Sequence, residues 1–224
     1  MRIIIRIGGS VVASPINSEL ISKYATLLRQ LKEEGHEVAV VVGGGAPARE
    51  IIKVAKDLGL DEKAQDELAI SVSRVFAQLF LEALEGLGCG KVPLTIKEAV
   101  KCLSEGKIVV MGGLKPGMTT DAVAALIAEK AGADLLIKAT DQEGVYNKDP
   151  RRYSDAVLLR HLSFDELSKV FAENKHKAGI HQIIDPEAVK ILRRRRVKVV
   201  VVNGFEPKNV LFVVEGKRLG TVIE

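Results

Sequence analysis

The chain predicts an α/β protein, an αβα sandwich around a mostly parallel sheet, on three observations. Short runs rich in Val and Ile alternate along it with segments of helical period. The runs are continuously apolar rather than alternating, as in strands covered on both faces. Three of them end in glycine pairs or triplets, and open α/β sheets bind ligands beyond the carboxyl ends of their strands. With 224 residues the chain is long enough for a full core. No linker, repeat or composition break divides it, so residues 1–224 read as one domain.

Residues 2–7 (RIIIRI) read as the first strand, with Ile3, Ile5 and Ile7 on one side and Ile4 and Arg6 on the other. Leu20, Ile21, Tyr24, Ala25, Leu27, Leu28 and Leu31 then recur at helical spacing, and Gly35 closes that helix. Residues 37–42 (EVAVVV) form a second strand. A helix follows from about Pro47, since proline suits a first helical turn. A long helical pattern covers about 62–85. Strands are predicted at 107–111, 134–139, 198–202 and 220–223, with helices at 121–130 and 184–195. The four arginines at 193–196 end a helix, where cations suit the negative end of its dipole; they are not read as a nucleic-acid stripe.

Composition excludes several classes. Lys and Arg number 33 and Asp and Glu 29, a net charge of +4, which suits anionic small molecules rather than nucleic acid. The longest segment without a charged residue, 7–18, has only 12 residues, too few for a membrane span. The first residues enter strand-like sequence with no apolar h-region. Cys89 and Cys102 make neither a disulfide framework nor a zinc site by themselves and read as reduced thiols. A cytoplasmic protein, with neither membrane nor nucleic acid as partner, is the expectation.

The glycine loops are Gly8-Gly9, Gly43-Gly44-Gly45 and Gly112-Gly113. Lacking Cβ, they let backbone N–H groups approach a ligand, and helix N-termini beside them favour phosphate. There is no Walker-type P-loop. Gly43-x-Gly45-x-x-Ala48 matches a dinucleotide fingerprint, but the region that should end a second strand with an acid, 60–68, is polar and helical. His36, His161, His176 and His181 are scattered and read as surface or structural groups. Arg49 lies four residues after Gly45, placed to reach an anion in that loop. Thr120 or Asp121 either caps the helix that follows Lys115-Pro116-Gly117-Met118-Thr119, or, in the case of Asp121, orients cations at a reacting phosphate. Residues 140–146 supply hydroxyl, carboxylate and aromatic groups enough to line a nucleoside pocket, or make a polar turn.

On these residues the chain resembles the amino-acid kinase superfamily, and within it the archaeal uridylate kinase branch. The matching elements are Ile7-Gly8-Gly9-Ser10, Val42-Gly43-Gly44-Gly45 with Arg49, Thr119-Thr120-Asp121, Lys138-Ala139-Thr140-Asp141 through Gly144-Val145-Tyr146 to Asp149-Pro150, Ile184-Asp185-Pro186, and Gly220-Thr221-Val222-Ile223, in family order over nearly the whole chain. The resemblance implies phosphoryl transfer from ATP to UMP with Mg²⁺ carried mainly on the ATP phosphates, in a homohexamer. The N-terminal part would bind the acceptor and the C-terminal part ATP. By motif match Arg6 and Asp121 would be catalytic. Gly9, Ser10, Gly45, Arg49, Thr140, Asp141, Tyr146 and Asp149 would bind ATP. Gly44, Asp66, Leu114, Lys115, Pro116, Gly117, Met118, Thr119 and Thr120 would bind UMP. No residue is expected to be a dedicated metal ligand. Arg6 departs from the pattern, since many relatives carry Lys there, and a planar fork is not a point charge. Sister kinases acting on other small acids or phosphates, and a nucleotide-sensing module without turnover, are the alternatives.

Overall fold

A computed structural model describes residues 1–174 and 183–224; His176 and His181 fall outside them. In chain order the elements are β1 (Arg2–Ile7), α1 (Gly9–Val12), α2 (Ser18–Glu33), β2 (Glu37–Val42), α3 (Gly45–Asp57), α4 (Glu62–Ala83), α5 (Ile96–Ser104), β3 (Val109–Met111), α6 (Thr120–Ala131), β4 (Leu135–Thr140), β5 (Val145–Tyr146), β6 (Leu158–Leu159), β7 (His161–Leu162), α7 (Phe164–Asn174), α8 (Pro186–Arg195), β8 (Lys198–Asn203), α9 (Lys208–Val214) and β9 (Thr221–Ile223). Seven strands form one sheet in the order β3-β2-β1-β4-β8-β9-β7, and β5 and β6 make a small antiparallel pair. The first five strands in that order are parallel, while β9 runs antiparallel to β8.

The two faces of β1 divide the core as its alternation requires. Ile3, Ile5 and Ile7 pack with α2, β2 and Phe80 of α4. Ile4 packs on the other side with α6 and α8. Each such fully buried aliphatic side chain contributes about 1.5–3 kcal/mol over its exposed state. Helix starts are set by short polar side chains: Asn17, Asp61, Thr95, Thr119 and Asp185 each accept a hydrogen bond from a first-turn N–H. The chain moves outward from β1 to β2 and β3, then returns to place β4 on the other side of β1. That reversal opens a crevice at the carboxyl ends of β1 and β4, the place where open α/β sheets accommodate ligands.

Three expectations are corrected. Thr119 caps α6, not Thr120 or Asp121, because Thr119 has the extended backbone of a cap and its hydroxyl accepts from Ala122 N–H at 3.1 Å. The long helix α3 begins at Gly45, two residues before Pro47. Cys89 and Cys102 are joined in a disulfide, with Cα atoms 6.2 Å apart. Tertiary packing brings them together: Cys89 N–H donates to Ile108 O, and Cys102 O accepts from Lys107 N–H, so both flank one turn of chain entering β3. The residues 193–196 behave as expected: Arg194 reaches Glu129 at 2.7 Å, Arg193 reaches Asp165 at 2.8 Å, and Arg196 closes the helix with positive φ.

Candidate active site

The glycine loops after β1 and β2 touch backbone to backbone. A Cβ on Gly9 would lie 2.1 Å from Gly45 N, and one on Gly45, whose φ is +62°, would lie 2.4 Å from Gly9 O. No other residue fits either position. The contact sets the start of α3 beside the start of α1 and opens a cavity of about 570 Å³ in front of them.

Arg6, Gly9, Ser10, Gly44, Gly45, Arg49, Asp66, Lys115, Gly117, Met118, Thr119 and Thr120 line this cavity, so twelve residues singled out in the sequence converge from four separate stretches. The N-termini of α3 and α6 both border it. With the Arg6, Arg49 and Lys115 charges they favour an anion. Arg49 is steadied by Ser14, whose hydroxyl oxygen lies 3.5 Å from its guanidinium and accepts from Ala46 N–H at 2.7 Å. The Asp66 carboxylate accepts from Gly117 N–H at 2.7 Å, tying α4 to the loop before α6.

Not every expected residue joins them. Leu114 and Pro116 belong to the same loop but do not line the cavity; Leu114 packs against the core, and its carbonyl accepts from Arg74. Thr140 ends β4, and Asp141, Tyr146 and Asp149 follow it; none of the four is in the lining. There the Thr140 hydroxyl donates to Asp141 at 3.2 Å, Asp141 pairs with Arg151 at 2.5 Å, and Asp149 Oδ1 accepts from Arg151 N–H at 3.0 Å.

Asp121 lies behind the cavity wall and organises it. Its carboxylate is 2.7 Å from Arg6 Nε and accepts from Lys138 Nζ at 2.5 Å and from Asp185 N–H at 3.2 Å. Arg6 Nε and Asp121 Oδ1 are close enough to pair but not aligned as a hydrogen bond, and both are buried. Arg6 directs another nitrogen to the Thr120 hydroxyl at 2.9 Å. Burial pushes the Asp121 carboxyl up, but the adjacent Lys138 and Arg6 charges outweigh it and hold it below the usual range. Burial lowers Lys138 to about 8, against the pull of Asp121.

Sequence reasoning missed three contributors. Lys138 stands in the sequence as part of a motif; a lysine inside an otherwise apolar strand is the signal that it needs a buried partner. Ser73 is buried, and its hydroxyl accepts from Gly113 N–H at 2.7 Å. Arg74 donates to Gly113 O at 3.1 Å and Leu114 O at 3.0 Å. Polar residues on the inner face of α4 thus hold the third glycine loop. Among the described residues no group of three His, Cys, Asp or Glu side chains is placed to hold a metal ion.

The family model described as amino acid kinase family matches residues 1–203. The chain belongs to the amino acid kinase family. Within that family it is 45% identical to the uridylate kinase of Methanocaldococcus jannaschii, over all of both chains. It is 38% identical to the uridylate kinase of Methanobrevibacter smithii, over 100% of this chain and 99% of that one. The crystal structure of uridylate kinase from Archaeoglobus fulgidus superposes over the whole of both chains with a TM-score of 0.91 at 38% identity. A UMP kinase from Bacillus anthracis, at 22% identity and a TM-score of 0.83, shares the fold.

Proposed function

We propose that this chain is a uridylate kinase, which transfers the γ-phosphoryl group of ATP to UMP and releases ADP and UDP, in pyrimidine nucleotide supply. The observation that carries the reading is the end-to-end likeness to uridylate kinases, joined to a cationic cavity built from the interlocked glycine loops. An oxygen of the UMP phosphate attacks the γ-phosphorus, and the bond from that phosphorus to the bridging oxygen breaks, leaving with ADP. The acceptor is already an anion, so no strong base is required, and catalysis is positioning plus charge neutralisation.

Gly9, Ser10 and Gly45 bring backbone donors to the ATP phosphates, and Arg49 adds charge. Gly44 holds the UMP phosphate, Asp66 faces its ribose, and residues 114–120 enclose the nucleotide. Arg6 stabilises the transferring group while Asp121 aims it. Thr140, Asp141, Tyr146 and Asp149 hold the ATP nucleoside, so the N-terminal part of a single domain serves the acceptor and the C-terminal part ATP. Mg²⁺ fits this site only as a companion of the ATP phosphates. Asp121, the buried carboxylate nearest the loops, already serves two cations, and ions of this kind are commonly held through phosphates and water. Bound there, the ion would supply charge neutralisation.

Homohexameric assembly in the cytoplasm completes the reading. It is supported by apolar side chains that α3 and α4 leave exposed together, Ile51, Val54 and Leu58 beside Leu68, Val75 and Leu79. No helix among the described residues is long and apolar enough to cross a membrane.

The test is ADP release over a panel of acceptors: UMP, CMP, GMP, AMP, acetylglutamate, carbamate and isopentenyl phosphate. UMP should lead strongly over CMP, because a site bonded to a carbonyl edge leaves buried groups unpaired against an amino group. Preference for a non-nucleotide acceptor would reassign the chain to a sister kinase. ATP binding without release on any acceptor would make it a sensor.

A further inference from the structure

Arg74 stands behind the glycine-loop cavity and does not line it. Both hydrogen bonds of its side chain go to the backbone of the third glycine loop: Nε donates to Gly113 O at 3.1 Å and Nη2 to Leu114 O at 3.0 Å. Asp66, Ile70, Ser73 and Arg74 are spaced to share one face of α4. That face is pressed onto the loop, since a Cβ on Gly112 would lie 2.7 Å from Arg74 N.

The grip on two successive carbonyls fixes two peptide planes. The Gly113–Leu114 and Leu114–Lys115 bonds are trans, and in a trans peptide the N–H points opposite to the carbonyl. With both carbonyls drawn to Arg74, the Leu114 and Lys115 N–H groups face away from it. Neither has a hydrogen-bond partner among the described residues. The other donors of this stretch are engaged: Gly113 N–H with Ser73, Gly117 N–H with Asp66 and Met118 N–H with Lys115 O. Pro116 has no N–H to give.

Unpartnered backbone donors beside a ligand cavity call for an acceptor atom. Uracil offers a ring carbonyl oxygen where cytosine carries an amino group, which is a donor. We propose that Arg74 is a positioning residue for acceptor choice: by holding the Gly113 and Leu114 carbonyls it turns the Leu114 and Lys115 N–H groups into the cavity, onto that carbonyl oxygen of the acceptor base. Gly113 and Lys115, on either side of the two planes, both line the cavity. The inference rests on the uridylate kinase reading and names the groups that select the base. Cytosine sets a donor against two donors there, and unpaired groups in a closed site are what discriminates. The transferring phosphoryl group does not meet Arg74, so its loss falls on acceptor binding and choice.

Steady-state kinetics of Arg74→Met and Arg74→Lys, with UMP and CMP as alternative acceptors and a thermal melt of each variant, test it. Met keeps an unbranched apolar stem without donors; Lys keeps the charge without the fork that reaches two carbonyls. Arg74→Met should raise KM for UMP at least about tenfold and narrow the UMP-to-CMP ratio of kcat/KM by a similar factor, with KM for ATP within about twofold of the parent. Arg74→Lys should recover part of that ratio. A general loosening of α4, or a loop that meets only the phosphate common to both acceptors, would weaken UMP and CMP alike. An unchanged ratio in folded Arg74→Met therefore overturns the proposal. If Arg74→Met melts below the assay temperature, Arg74→Lys decides, and a parental ratio there overturns it. A parent that fails on UMP overturns the kinase reading itself, whereas a parent that prefers UMP beside a variant of unchanged ratio overturns this inference alone.

Discussion

The Lys138 ammonium donates to Asp121 Oδ2 at 2.5 Å while the other oxygen of the same carboxylate lies 2.7 Å from Arg6 Nε. Two cations thus share one buried anion, and the surplus positive charge belongs to Arg6, which also lines the glycine-loop cavity. Registry places them: Arg6 and Lys138 are partners across β1 and β4, on the same face of the sheet. Taking charges out of water is costly unless they are paired and hydrogen-bonded. The group therefore contributes little to stability by itself, and it fixes the Arg6 charge at the wall of the cavity.

Lys138 should give the enzyme an alkaline limb. Burial brings its pKa down to about 8 from an ordinary 10.5, so it loses its proton, and its hold on Asp121, as the pH rises through that value. Turnover at saturating ATP and UMP should fall above about pH 8 in the parent, and Lys138→Met should show a low rate with no such limb. The stability effect has the opposite sign. Between about 8 and 10.5 the unfolded chain binds more protons at this residue than the folded one, so its contribution to stability rises with pH there. Rate profiles from pH 6 to 10, with urea midpoints at both ends of that window, check both directions. An alkaline limb unaltered in Lys138→Met would remove Lys138 from the explanation.

Arg6→Ala should cut turnover at least about tenfold, since each ~1.4 kcal/mol of lost transition-state stabilisation is a factor of ten. Arg6→Lys should retain a measurable part, because it restores charge without the fork that reaches both Asp121 and Thr120. Steady-state kinetics of the two folded variants decide it. If both match the parent, phosphoryl stabilisation rests on Arg49 and backbone amides.

Asp66 is tied to Gly117 N–H at 2.7 Å, so its loss should loosen the acceptor loop. Asp66→Ala is expected to raise KM for UMP about tenfold, the scale of one lost hydrogen bond to a charged group, with a smaller change in KM for ATP. Asp66→Asn keeps an acceptor oxygen and should fall between. Equal KM shifts for both substrates would show a general disturbance of α4 instead.

The disulfide closes a loop of 13 residues, worth about 3 kcal/mol in the chain-entropy account. Thermal melts should show Cys89→Ser and Cys102→Ser lowered by similar amounts, with reductant lowering the parent toward them and leaving both variants unmoved. A parent indifferent to reductant would mean that the bridge contributes nothing to stability.

The layered fold was legible because its signals are local. The division of Ile3, Ile5 and Ile7 from Ile4 follows from alternation alone, and the core is split along that line. The parallel strands read as continuous apolar runs because helices cover both their faces. The short elements left no such trace: β5, β6 and β7 have two residues each, too few for a period, and α1, α5, α7 and α9 went unread beside stronger neighbours.

By itself the sequence determined the order of the long strands and helices, the three glycine loops and many of the residues that line the cavity between them, because each depends on a residue's own conformational freedom or on spacing along one element. Tertiary structure decided what those residues do to one another. Strand registry put Lys138 beside Arg6 and both against Asp121. Packing of α4 under the third glycine loop recruited Ser73 and Arg74. The approach of the chain around Ile108 joined two cysteines that had read as separate thiols. Each of these pairings links residues whose separation along the chain carries no periodic signal, so only the folded geometry, where burial leaves a charge or a polar hydrogen no partner but its new neighbour, selects them.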